Sequence, residues 1–173
     1  MSTQPPAEAP EPARADIKIR TANRAEAGSI AELTHQAFAQ QARLYDDHTL
    51  PPLADTAESV AAEMARGAVV LVAEDAATGA IVGAVRGEMR EQTCHVGRLV
   101  VDPAWQGRGV GRELAVALEG RFPRAQRFSI FTGHRSEAAL HLYESLGYER
   151  EREQPVHDRL RLVFLGKERD AAQ

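Results

Sequence analysis

The chain has 173 residues, 43% of them apolar and 27% charged, with a net charge of -4 at neutral pH. That length suits one domain with a substantial core, and the mildly acidic balance argues against a broad basic field for nucleic-acid phosphates. No run approaches the roughly 20 apolar residues of a membrane span, and the N-terminus lacks the basic-then-apolar pattern of a secretory signal. The single cysteine, Cys94, has no internal disulfide partner, which fits a reducing compartment. A cytoplasmic location with no nucleic-acid or membrane partner is expected.

In chain order, residues 1–15 are rich in Pro, Ala and Glu and predict a disordered tail. Residues 16–168 then read as one domain, with 169–173 as a short C-terminal tail. Ile17 to Arg20 alternates as a first strand, and Ile30, Leu33, Ala37 and Phe38 predict a helix from Arg24 to about Gln41. Leu44 to Asp55, with Pro51 and Pro52, predicts a loop. Thr56 caps a short helix ending near Gly67. Strands follow at Val69 to Ala73, Ile81 to about Arg90 and Thr93 to Val101, the first pair joined by a Thr78-Gly79 turn. A glycine-containing segment, Asp102 to Arg108, leads into a helix with Val110, Leu114, Ala117 and Leu118 on one face, stopped by Pro123. Phe128 to Thr132 is a strand. Ser136 opens a helix carrying Ala139, Leu142, Tyr143 and Leu146, and Gly147 suits its C-terminal cap. Tyr148 to Arg152 and Arg159 to Leu165 are the last strands. Hairpins mixed with strand-helix-strand crossovers imply an α/β fold, a mixed sheet with helices on both faces.

The chemistry concentrates in Val96 to Arg112, VGRLVVDPAWQGRGVGR. A β-branched strand end runs into Gly107, Gly109 and Gly111 at the mouth of a helix. Bare N–H groups and the helix dipole make such a place an anion cradle, to which Gln106, Arg108 and Arg112 add donors. The competing reading is a glycine-rich turn that only caps a helix. Neither common nucleotide fingerprint is present: the dinucleotide motif wants a glycine where Arg112 stands, and the P-loop wants a missing Lys-Ser/Thr pair.

Gln106-Gly107-Arg108-Gly109-Val110-Gly111 resembles the Q/R-x-x-G-x-G/A signature of the GNAT N-acetyltransferase family. Ser136 to Tyr148, SEAALHLYESLGY, resembles that family's later helix, N-x-x-A-x-x-L-Y-E-x-x-G-F/Y. The resemblance covers about Ile17 to Lys167. It implies a splayed mixed sheet of about seven strands, with acetyl-coenzyme A (acetyl-CoA) in the gap between the fourth and fifth. The backbone of Leu99, Val100 and Val101 would pair with the pantetheine arm. Gln106, Gly107, Arg108, Gly109, Val110, Gly111 and Arg112 would hold the pyrophosphate. Ser136 stands where the family often has an asparagine on the cofactor, although a serine there can simply cap the helix.

Acetyl transfer to an amine needs a proton removed, a carbonyl polarised and a thiolate protonated. With no G-x-S-x-G elbow and no activating partner evident for Cys94, direct attack in a ternary complex is expected. Tyr143 matches the family's proton donor to sulfur; the plainer reading is an amphipathic core tyrosine. His95 occupies the position of a strand-four glutamate base and is a suitable base itself; the plainer reading is a structural histidine, with Glu88 the fallback base. A strand-four N–H, with that of Val101 as candidate, would stabilise the oxyanion. Tyr45, Asp46, Asp47 and His48 lie in the loop that often shapes the family's acceptor pocket, where acidic groups suit a cationic substrate and a solvated cluster is the alternative. His134-Arg135 and His157-Asp158 sit in connections around the second motif. The six histidines show no metal-ligand spacing, so no metal is expected. The implied acceptor is a small-molecule amine. The alternatives are a peptide acceptor on the same fold and a non-catalytic acyl-CoA-binding module. A homodimer stays open.

Overall fold

Burial alternates along the strands and decides which helices each face meets. The computed structural model describes residues 16–169; the expected tail at 1–15, and all of the expected 169–173 tail but its first residue, lie outside them. Seven strands form one sheet in the order β1-β2-β3-β4-β5-β7-β6. They are β1 (Ile17–Thr21), β2 (Val69–Asp75), β3 (Ile81–Arg90), β4 (Thr93–Val101), β5 (Arg127–Gly133), β6 (Glu149–His157) and β7 (Leu160–Glu168). Every neighbouring pair is antiparallel except β4 and β5.

Helices α1 (Ala27–Tyr45) and α2 (Ala57–Ala65) cover one face. Ile30, Ala31, Leu33 and Val60 pack there on Val70, Val72, Ala84 and Val100. The opposite residues of the same strands, Leu71, Val85, Cys94 and Val96, join Leu114, Leu118, Leu140 and Tyr143 from α3 (Val110–Gly120) and α4 (Glu137–Ser145). The period of two in the strands thus feeds two helical layers. Thr56 accepts from the Ser59 N–H at 3.1 Å and starts α2, and Gly147 adopts φ 97 beyond α4, as a left-handed C-terminal position requires.

Several element ends differ from expectation: β2 runs to Asp75 and β7 to Glu168, past Ala73 and Leu165. The first helix begins at Ala27, after a 3-10 turn at Arg24–Glu26, and runs on to Tyr45 because Ala42 and Tyr45 continue its buried stripe. A further 3-10 turn, Pro51–Ala54, interrupts the expected loop. Strand β6 extends to His157, although eight of its nine residues are exposed. It is an edge strand whose ladder with β7 needs no apolar pattern, and Pro155 is tolerated there. Arg169, expected to begin a tail, donates to the carbonyls of Ala125 and Phe122, both at 2.6 Å.

Candidate active site

The only parallel pair in the sheet is also its weakest seam. Strands β4 and β5 pair over Thr93, Cys94 and His95 with Arg127, Phe128 and Ser129, and no further. Beyond His95 the strands part. A bulge between Ala84 and Arg86 on the β3 side of β4 coincides with Arg98, whose φ is 49. Asp102 N–H donates to Val82 on β3 at 2.8 Å, so alternation along the strand turns the N–H and C=O of Val101 the other way, into the gap. A strand edge with unpaired amides is a template for an extended ligand.

At the end of this gap Asp102 accepts from the Ala104 N–H at 2.8 Å and folds a 3-10 turn, Pro103–Trp105. Gly107 at φ 75 and Gly109 at φ 84 take left-handed conformations with open space above each, which side-chain-bearing residues disfavour. Glu113 N–H bonds Gly109 C=O, leaving the N–H groups of Val110, Gly111 and Arg112 as the bare first turn of α3. Gly111 lies close to α4: a Cβ there would meet Leu142 at 3.4 Å. Arg108 lies 4.1 Å over the Trp105 ring, and Arg112 donates to Ser145 Oγ at 3.1 Å.

Two titratable side chains lie on opposite faces of the sheet. Tyr143 is 6% exposed in the α3/α4 layer, its ring 6.0 Å from that of Tyr148, and burial raises its phenol well above the ordinary range. His95 is exposed on the opposite side of β4, in register with Glu88. Desolvation first, then the charge of Arg90, lowers its pKa below the usual 6.5.

The far wall is a chain of hydrogen bonds. Arg135 N–H donates to Tyr45 Oη at 2.9 Å, Tyr45 meets Ser136 Oγ at 2.8 Å, and Ser136 donates to Gln41 at 2.7 Å. Next to it, His157 Nδ1 accepts from the Arg159 N–H at 3.1 Å, leaving Nε2 to donate to Asp47 at 2.8 Å. Arg159 and Arg135 also donate to the carbonyls of Tyr45 and Leu44. The loop after α1 is thereby tied across to the β6–β7 turn and the start of α4. Thr49, then His157, holds the Asp47 carboxyl down at about 2.

The sequence matches the acetyltransferase (GNAT) domain family over residues 31–168. The chain belongs to the GNAT acetyltransferase family. No curated protein sequence matches it. Among solved structures, one from Salmonella typhimurium described as YncA with its cofactor acetyl-CoA is 24% identical. Its TM-score is 0.71, and the match covers 92% of this chain and 97% of that one. A phosphinothricin acetyltransferase from Sinorhizobium meliloti in complex with acetyl-CoA is 20% identical, with a TM-score of 0.72 and 88% of each chain covered. A ribosomal-protein-alanine N-acetyltransferase from Brucella melitensis is 22% identical, with a TM-score of 0.71, covering 87% of this chain and 99% of that one.

The cradle fits the diphosphate of acetyl-CoA, the acyl donor of GNAT enzymes: open space over two left-handed glycines meets the bare turn of α3, and the unpaired edge of β4 fits an extended arm. Among the described residues no group of three or more His, Cys, Asp or Glu converges on a metal site, and no helix is long and apolar enough to cross a membrane.

Several expected site residues have other occupations in this GNAT chain. Ser136 makes no side-chain cap to α4, because its hydroxyl is committed to Tyr45 and Gln41. Tyr45 is a buried residue of α1, 2% exposed, and packs on Gly133. Asp47 already accepts from Thr49 and from His157.

A buried charge cluster escaped the sequence reading. Asp55, 7% exposed, accepts from Arg86 at 2.9 Å and Arg98 at 3.1 Å, while Arg86 also reaches Glu63 at 2.8 Å. His35 Nε2 lies 2.6 Å from the Asp55 carbonyl. The signal was present in β3, where Arg86 stands two residues after the inward Ala84, in a run of buried residues.

Proposed function

We propose that this GNAT enzyme transfers the acetyl group of acetyl-CoA to a primary amine of a small molecule, by direct attack in a ternary complex. The observation that carries the choice of a small acceptor is the far wall. Asp47–His157 and the Arg159 and Arg135 contacts to the end of α1 draw the loop over the side from which an acceptor comes, whereas a peptide needs an open groove.

Bound acetyl-CoA supplies the activated acyl group. The amides of Gly107 to Arg112 hold the diphosphate, with Gln106 and Arg108 beside them, and the outward amides of Leu99 and Val101 align the arm. Val101 N–H is also placed to stabilise negative charge on an acyl oxygen. His95, neutral because its pKa is lowered, accepts the proton of the amine directly or through water. Tyr143 stays protonated because its pKa is raised and donates to the departing sulfur. Their positions on opposite faces of the sheet suit an acceptor arriving from one side and a leaving group protonated from the other.

A thiol-release assay over primary amines and peptides of one to ten residues tests this. Turnover on free small amines, with no gain as the peptide lengthens, is expected. Activity confined to peptides would remove the small-molecule assignment.

A further inference from the structure

We infer that the acceptor amine also carries a carboxylate, as an amino acid does, and that Arg86 receives it in the space over Gly97. This rests on the acetyltransferase reading above and names its substrate class. Arg86 is 5% exposed, and its Nε–H is the one buried side-chain polar atom without a partner among the described residues. Buried donors are ordinarily satisfied, so this one asks for an oxygen that the folded chain does not provide.

Gly97 stands opposite Arg86 in the β3–β4 register, so the two residues face the same side of the sheet. A Cβ built on Gly97 meets nothing within 4 Å. The space over Gly97, across the strand pair from Arg86, is therefore open, next to the Arg98 bulge and two residues, roughly 7 Å, along the strand from His95. Its charge favours an anion. Arg86 and Arg98 share the single buried carboxylate of Asp55, and the remaining acid, Glu63, has a side chain 34% exposed at the rim. Both Asp55 oxygens already accept from arginines, so the cluster has little to give an ammonium. A carboxylate placed over Gly97 accepts from Arg86 Nε and brings its amine toward His95 and the gap.

The test compares the α-amino acids with their α-amides as acceptors in the thiol-release assay. A hydrogen bond to a charged group predicts at least one acid preferred over its amide by about 10- to 100-fold in kcat/KM. Gly97→Val fills the space and is expected to erase that preference while acetyl-CoA affinity, read by calorimetry, is kept. Arg86→Gln should raise KM for the acid and leave the amide unchanged. Equal use of acids and amides would overturn the carboxylate site while acetyl transfer stood. If no amine is turned over, N-acetyl amino acids and N-acetyl amino amides are titrated onto protein loaded with coenzyme A. Failure to prefer the acids there also overturns the inference, and failure to bind coenzyme A at all overturns the parent reading separately.

Discussion

Desolvation penalises whichever form of a side chain is charged, and it acts on the proposed acid and the proposed base at once. It holds the Tyr143 phenol protonated and His95 unprotonated near neutral pH, the two states that the proposed direct attack requires. Tyr143→Phe should lower kcat by about 10²–10⁴-fold and leave the dissociation constant of acetyl-CoA nearly unchanged; wild-type turnover in that variant would remove the tyrosine from the mechanism. His95 is neutral above its pKa, which lies below 6.5, so kcat/KM should fall as the pH drops through that value. In His95→Gln that acidic limb should vanish, and a profile of unchanged shape would point to Glu88 or to water.

Elements here are held by contacts that tolerate little extra volume. A Cβ on Gly133 would run into the ring and hydroxyl of Tyr45, so Gly133→Ala should cost about 1–3 kcal/mol in urea unfolding. Truncating Asp55 would leave Arg86 in the interior with only the rim carboxylate of Glu63, a loss of up to about 3–5 kcal/mol, and Asp55→Ala should lower the unfolding midpoint accordingly. Helices and inner strands were legible because apolar residues mark their faces: Val110, Leu114 and Leu118 recur along α3, and the glycines at 107, 109 and 111 announced the cradle. Strand β6 was read short, to Arg152, because Glu153-Gln154-Pro155 offers no apolar alternation and ends on a proline, and an edge strand takes its order from its neighbour's ladder. Asp55 was invisible for a different reason. Its partners lie 31 and 43 residues away, and nothing local to a proline-rich loop declares a buried carboxylate. Ser136 was placed correctly at the start of α4, but its hydroxyl partner Tyr45 comes from 91 residues earlier.

Across the whole molecule, Cys94 offers a built-in reporter. It is fully buried, and desolvation pushes its thiol up to about 12, so alkylation in native buffer should proceed only through opening of the sheet. Labelling that tracks the unfolding equilibrium in urea is expected; rapid labelling of native protein would contradict this packing. The short pairing of β4 with β5 has a wider consequence. Four strands stand on one side of that weld and three on the other, with three residue pairs joining them at the root. A molecule seated in the cleft bridges two slabs of sheet where the β4–β5 ladder has ended, so it acts as mortar as well as reactant. Saturating coenzyme A at about 100 times its dissociation constant should therefore add roughly 2.7 kcal/mol of stability, and the slowing of Cys94 alkylation would show the two slabs being riveted together.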